Sequence, residues 1–220
     1  SPILANIYMH YILVWWFEEC IVPKLKGYGG LVVYADDFVV CFQYKEEAEL
    51  FYELLKKRMK IFGLEMEESK TRLIEFGRMA EQNRKARGER KPETFEFLGF
   101  THYCSKSRRG WFRVKRKTSK KKFAKKCREL SQTMRAMRTW RLTDIFRKTN
   151  QILIGYYHYY GITDNGKSLQ RMKRKVENLL FYWLNHRSQK RSYNWDGFLE
   201  LLKAFPLAKP KIYVNIYQTG

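Results

Sequence analysis

Leu31-Val32-Val33-Tyr34-Ala35-Asp36-Asp37-Phe38-Val39-Val40-Cys41-Phe42 sets two adjacent acids between two runs of β-branched and aromatic residues. Leu31–Tyr34 and Phe38–Phe42 each read as a strand, and the short break at Ala35-Asp36-Asp37 suits a hairpin turn. Side-by-side carboxylates repel one another, so the pair is costly unless a cation compensates it. Asp is also a favoured turn residue, and a bare Asp-Asp pair is most often only a turn. The chemistry that does call for such a pair is phosphoryl transfer on two divalent ions, where hard carboxylate oxygens suit Mg²⁺.

On the N-terminal side, Ser1-Pro2 is a good helix opening, a Ser N-cap with Pro in the first helical position. Ile3 to Cys20 is apolar almost all round and reads as a helix buried beneath a sheet, ended by Pro23 and Gly27-Tyr28-Gly29-Gly30. On the C-terminal side, Ala48, Leu50, Phe51, Leu54, Leu55 and Met59 give helical spacing over Lys45–Phe62, with Gly63 as the stop. Thr71–Phe76 reads as a strand and residues 79–92 as an exposed charged loop. Phe95–Tyr103 and Gly110–Val114 read as a second hairpin turning at Ser107-Arg108-Arg109-Gly110. Four helices follow by pattern: Ser119–Arg138, Leu142–Tyr160, Ser168–Arg187 and Trp195–Ala204.

Charge divides the chain unevenly. Residues 1–78 carry 10 Lys and Arg against 12 Asp and Glu, a net of −2; residues 79–220 carry 34 against 10, a net of +24. A neutral front and a basic back imply two units, the second facing phosphates or another polyanion. The densest run is Arg113 to Arg128, where ten of sixteen residues are cationic: Arg113, Lys115, Arg116, Lys117, Lys120, Lys121, Lys122, Lys125, Lys126 and Arg128. It reads as a salt-sensitive nucleic-acid surface, with a merely solvated face as the other reading. No large apolar face accompanies it, which argues against a membrane partner. The opening apolar stretch is interrupted by Asn6, His10, Glu18 and Glu19 and does not make a membrane span. Cys20, Cys41, Cys104 and Cys127 lie far apart without a CxxC pair, which points to a reducing cytoplasm rather than a disulfide or zinc framework.

Tyr34-Ala35-Asp36-Asp37 resembles the Tyr-x-Asp-Asp box of reverse transcriptases. The resemblance widens on both sides of it. Ser1-Pro2-Ile3-Leu4-Ala5-Asn6-Ile7-Tyr8 looks like the segment after their Pro-Gln-Gly motif, and Gly63 to Thr71 like the block ending in Lys-Thr. Phe97-Leu98-Gly99-Phe100 looks like the primer-grip hairpin. Further on, Leu142-Thr143-Asp144-Ile145-Phe146, Gly155-Tyr156-Tyr157-His158-Tyr159-Tyr160-Gly161, Trp183 to Lys190, Trp195 and Pro206 to Ile212 are similar to the thumb and maturase region of group II intron proteins.

The resemblance implies an α+β fold: the C-terminal part of a polymerase palm over 1–114, an antiparallel sheet with packed helices, then an all-α basic thumb/maturase domain over 115–220. It implies an RNA-directed DNA polymerase that copies group II intron RNA and assists its splicing and mobility, in a bacterial cytoplasm. Asp36 and Asp37 are then the Mg²⁺ ligands, and Tyr34 and Lys70 lie near the primer terminus and incoming nucleotide. Lys70 alone would read as a surface lysine. Leu98 and Gly99 would let backbone approach the primer, with a plain turn glycine as the other reading. Tyr156 and Tyr157 are divided between RNA stacking and core packing. The implied partners are intron RNA, an RNA template–DNA primer duplex and target DNA; the oligomeric state is open.

In this family a third carboxylate and the Pro-Gln-Gly motif come from upstream of the matching segment. The chain starts after both, without an initiating Met, and reads as part of something longer with an incomplete active site and little activity of its own. The close at Gly220 resembles forms without a DNA endonuclease module, as a truncated chain also would. The other readings are a non-catalytic RNA-binding splicing factor and a domesticated relative in defence or repair.

Overall fold

In the computed structural model, which describes residues 2–190 and 192–217, the β-branched runs pair as the sequence predicts. β1 (Gly29–Tyr34) and β2 (Asp37–Phe42) form an antiparallel hairpin with Val32 opposite Val39, Val33 opposite Phe38 and Tyr34 opposite Asp37. Side chains alternate across a strand, so Leu31, Val33, Phe38, Val40 and Phe42 turn to the core while Val32 and Tyr34 face solvent. Phe51, Leu55 and Met59, four residues apart on α2 (Lys45–Ile61), close over them. Gly63, at φ +69°, takes the left-handed conformation that ends this helix.

The opening helix departs from a regular rod. α1 (Pro2–Met9) passes into π-helical turns over His10–Trp15 and Phe17–Ile21, and then into a 3₁₀ turn at Val22–Lys24. Wider turns are associated with functional sites and distort the hydrogen-bond ladder. Arg58 reaches into the distortion from α2, its Nε donating to the Ile12 carbonyl at 2.6 Å and its guanidinium lying 4.9 Å from the Trp16 ring. The expectation of a helix buried all along its length is corrected here. Only Ile12, Leu13, Trp16, Phe17 and Ile21 are buried, whereas Ile3, Leu4, Ile7, Tyr8 and Tyr11 are exposed. The hairpin and α2 cover one stripe of the last turns and leave the first two uncovered. The Ser1 cap lies outside the described residues.

Two further expectations change. Thr71–Phe76 forms no strand. The charged stretch after it carries a helix, α3 (Ala80–Ala86), built from good helix formers and seated on the buried Ala80. Ion pairs hold this region together: Arg72 with Glu93 at 2.7 Å, Arg84 with Glu89 at 3.1 Å, and Arg87 with both Glu75 and Glu89. Arg87 and Asn83 hold the Glu75 carboxyl below the usual range, and Arg87 does the same for Glu89.

The second unit starts with three strands rather than two. β3 (Phe95–Phe97), β4 (Phe100–Lys106) and β5 (Phe112–Thr118) lie side by side, antiparallel. Leu98 and Gly99 form the extra two-residue turn, both at positive φ (49° and 77°), as tight hairpins with this twist require. Four helices follow: α4 (Lys120–Ala136), α5 (Leu142–Tyr160), α6 (Gly166–Leu184) and α7 (Trp195–Ala204). Their shared core holds Leu130 and Met134, then Ile145, Phe146 and Leu153, then Leu169, Met172, Val176 and Leu180, with Phe198 fully buried. The boundary read after Val114 falls inside β5; the compact units part between Glu93 and Thr94, leaving β3–β5 with the helices.

Asn165 explains that grouping. Its side chain is fully buried, Oδ1 accepting from the Thr118 backbone N–H at 2.8 Å and Nδ2 donating to the Tyr160 carbonyl at 2.9 Å. One amide thus ties the end of β5 to the end of α5, at the residue that precedes α6. The C-terminal segment is fastened to the same corner: Tyr213 and Val214 donate their backbone N–H groups to the Gly161 carbonyl at 2.6 and 3.1 Å. A Cβ at Gly161 would stand 2.6 Å from the Lys211 carbonyl oxygen, so only glycine admits this strap. Asn150 holds the strap's beginning, bonding the Pro206 carbonyl at 3.0 Å and the Ala208 N–H at 2.8 Å.

Asn165→Ala strips the buried Thr118 N–H of its acceptor and takes one of two donors from the Tyr160 carbonyl, which keeps the Ile162 N–H at 2.9 Å; the cost is about 1–3 kcal/mol. The expected result is a lower urea midpoint for the full chain with an unchanged slope; a midpoint equal to the parent's would show that the amide is not the tie.

Candidate functional site

The first cluster is the turn between β1 and β2. Tyr34 and Asp37 form the last pair of the ladder, so Ala35 and Asp36 alone make the reversal. Ala35 sits at φ +54°, a left-handed conformation that costs a non-glycine residue roughly 1–2 kcal/mol. Asp36 and Asp37 are both exposed, and neither carboxylate has a hydrogen-bond or ion-pair partner among the described residues. Tyr34 stands exposed at the end of β1, opposite Asp37. The turn therefore presents two unneutralised acids side by side on a strained but well-paired hairpin. Among the described residues, no group of three or more His, Cys, Asp or Glu side chains is placed to hold a metal ion.

Lys70 lies in the turn after Glu67 rather than at the head of a strand. Its ammonium pairs with the Glu67 carboxylate at 3.3 Å and remains exposed. Ser69 donates to the same carboxylate at 2.6 Å, and together these two donors hold Glu67 below the usual carboxylate range.

Leu98 and Gly99 occupy a turn whose carbonyls are already engaged. The Leu98 carbonyl accepts from the Tyr159 hydroxyl at 3.0 Å, and the Gly99 carbonyl from the Ser119 N–H at 2.9 Å. A Cβ on Gly99 would stand 3.0 Å from the Tyr160 hydroxyl oxygen, so close approach as well as positive φ selects glycine. Phe100 packs against Tyr160 beside it, ring centroids 5.2 Å apart. The turn is thus anchored to the end of α5.

The basic run is split in two by Ser119, the N-cap of α4. On β5 the alternation puts Arg113, Lys115 and Lys117 on one face and Arg116 on the other, opposite His102. Arg113 lies 4.0 Å from the Tyr217 ring, and the Lys117 ammonium 5.2 Å from that of Tyr103. On α4, Lys120, Lys121, Lys122 and Lys125 are exposed, while Lys126 is paired with Glu129 at 3.6 Å.

Tyr156 and Tyr157 are corrected. Tyr157 is 1% exposed and both rings lie in the helical core, so neither offers a face to a base. Burial pushes both phenols up, keeping them neutral. Helical spacing decides this: their neighbour Tyr159, two or three positions on, is exposed instead.

Sequence reasoning passed over the cations of α6. Lys167, Arg171, Arg174 and Lys175 are exposed, α6 packs on α4, and the Arg171 guanidinium lies 4.9 Å from the Phe123 ring. Their spacing was readable as one polar face of an amphipathic helix; that it adjoins the α4 lysines was not.

A family model for reverse transcriptase (RNA-dependent DNA polymerase) matches residues 1–102, and one for the group II intron maturase-specific domain matches residues 120–197. The chain belongs to the group II intron reverse transcriptase/maturase family. Compared with curated proteins one by one, it matches none. The reverse transcriptase match contains the Tyr34–Asp37 turn and runs into β4, and the maturase match spans α4, α5 and α6. As expected, the fold is α+β, antiparallel sheets followed by helices. A group II intron reverse transcriptase/maturase has an intron-encoded role in RNA splicing and mobility, with intron RNA as a partner. The reverse transcriptase family generally uses Mg²⁺. No helix among the described residues is long and apolar enough to cross a membrane.

His102 supplies a pH test of the basic sheet. Its ring stacks on Phe95 at 4.7 Å, and burial, then the charge of Arg116, holds its pKa below the ordinary value of about 6.5. The unfolded chain therefore binds a proton that the folded chain refuses, so stability is full above about pH 6.5 and falls as pH drops below it. The urea midpoint should decline from pH 7 to 5, and His102→Phe should flatten that decline. An equally steep decline in the variant would assign the pH dependence to other groups.

Proposed function

We propose that Asp36 and Asp37 hold Mg²⁺ for RNA-directed DNA synthesis, and that the cations of β5 and α4 hold the RNA template–DNA primer duplex and the intron RNA. The observation that carries the reading is the pair of partnerless carboxylates on the Ala35-Asp36 turn. Their chemistry fits: both donors are hard oxygens, and Mg²⁺ takes one or two carboxylates while leaving positions to phosphates and water. A bound ion would supply charge neutralisation at the phosphoryl group and a more acidic attacking hydroxyl. A further carboxylate from outside these 220 residues completes the site in this reading.

The remaining residues position. Tyr34, exposed beside the acids, packs near the primer terminus, and Lys70 exchanges Glu67 for a nucleotide or template phosphate. The Leu98-Gly99 turn is assigned to the primer strand by its place in the reverse transcriptase match, since its carbonyls and the space beside Gly99 are taken up within the protein. Arg113, Lys115, Arg116, Lys117, Lys120, Lys121, Lys122, Lys125 and Lys126 supply phosphate contacts, Lys126 with its charge shared by Glu129. The same surface meets target DNA during mobility.

Primer extension on an RNA template with Mg²⁺ tests the metal role, using this chain joined to an upstream reverse transcriptase segment. Extension is expected, and Asp36→Ala and Asp37→Ala should each lower it by at least about 100-fold. Extension that survives both substitutions would remove the acids from the reaction.

Salt dependence tests the surface. Replacing Lys121, Lys122 and Lys125 together with Ala should reduce the slope of log affinity for RNA against log salt by about 2–3, near 0.7–0.9 for each lost phosphate contact. An unchanged slope would place the phosphates elsewhere.

A further inference from the structure

Beyond the basic run, the end of α6 and the residues after it line an open groove of about 720 Å³. That volume lies in the range of small-ligand sites. Tyr182 and His186, one helical turn apart, stack in its wall with ring centroids 4.0 Å apart and planes 28° from parallel. Both rings are exposed, Tyr182 by 49%.

The histidine is fixed in orientation. Its Nδ1 lies 2.6 Å from the Tyr182 carbonyl oxygen, which can only accept, so the hydrogen is on Nδ1. The neutral ring then offers Nε2 as an acceptor. Asn185 pins the rim: its Nδ2 donates to the Phe181 carbonyl at 3.1 Å and its Oδ1 accepts from the Tyr193 N–H at 2.8 Å. Asn178 and Gln189 also line the groove, and their amides make no hydrogen bond within the described residues. Exposed Arg174 and Lys175 lie one turn before Asn178 on α6.

An aromatic platform, amides able to donate and accept, and cations alongside are the elements by which proteins capture an unpaired base. Bases inside a duplex are stacked on one another and offer no face to such a platform. We propose that this groove binds one unpaired nucleobase of an RNA segment, stacked on Tyr182–His186, its edge met by Asn178 and Gln189 and its phosphates by Arg174 and Lys175. The proposal rests on the RNA-binding reading above and adds a second kind of contact to it, one that distinguishes single-stranded from paired RNA.

The test compares two probes on the full chain: a single-stranded RNA carrying one 2-aminopurine, and the same strand annealed to its complement. Binding of the single strand should change the 2-aminopurine fluorescence. Tyr182→Ala should weaken single-strand binding by about tenfold or more, the usual loss when a base loses its aromatic platform, with the salt slope unchanged. Duplex binding should stay as in the parent, and Tyr182→Phe should restore single-strand affinity. If Tyr182→Ala fails to bind duplex as well, His186→Ala decides by the same comparison. Parent-like single-strand affinity in whichever variant decides would overturn the pocket while leaving the basic surface intact. A parent that binds neither probe would instead sink the RNA-binding reading on which the pocket rests.

Discussion

The second unit depends on one buried amide. Asn165 carries donor and acceptor in a single planar group, and with no exposure it must satisfy both from protein. It does so with the Thr118 N–H, which the β5 ladder leaves free, and with the Tyr160 carbonyl, which it shares with the Ile162 N–H where α5 ends. An unpaired buried amide is expensive, so strand end, helix end and the start of α6 form together. Everything nearby inherits this geometry. Tyr159 and Ser119 hold the Leu98-Gly99 turn from the two elements that Asn165 ties together, and the C-terminal strap crosses the same corner at Gly161.

Strain and close approach mark the turns that present candidate chemistry. Ala35 and Leu98 both hold left-handed backbone without being glycine, each in a two-residue reversal closed by paired strands. A tight hairpin accepts that cost because the flanking ladder over-determines the turn. In the first unit the ladder is anchored by Val33, Phe38 and Val40 on the aromatic core of Trp16, Phe17 and Phe51. The acids at its tip stay in solvent, beyond the partly buried residues that seat the strands on that core.

Charge in this protein is sorted by pairing rather than by number. Around α3 the cations are spent internally: Arg72, Arg84 and Arg87 each pair with Glu75, Glu89 or Glu93. On α4 and α6 the acids are few, so most lysines and arginines keep their charge for a partner. Basic residues thus enter a network of ion pairs in one place and form an open cationic surface in another. That open surface is the one the proposed function assigns to intron RNA.

The strands around Asp36-Asp37, the span of α5 and α7, and the neutral and basic halves were legible in the sequence, because period, turn chemistry and composition are local properties. So was the family, whose motifs lie in order along the chain. Position in space was not. Tyr156 and Tyr157 lie in a tyrosine-rich run that reads equally as surface or core, and only packing put them inside. Thr71–Phe76 has strand composition but forms no strand, and residues 79–92 lack apolar periodicity yet carry a helix. Asn165 looked like an ordinary loop residue, since nothing in Gly161-Ile162-Thr163-Asp164-Asn165-Gly166 announces a partner 47 positions away. Local sequence determined the elements and the chemistry they carry; burial and long-range hydrogen bonds, which exist only once the chain is packed, decided which side chains remain free to use it.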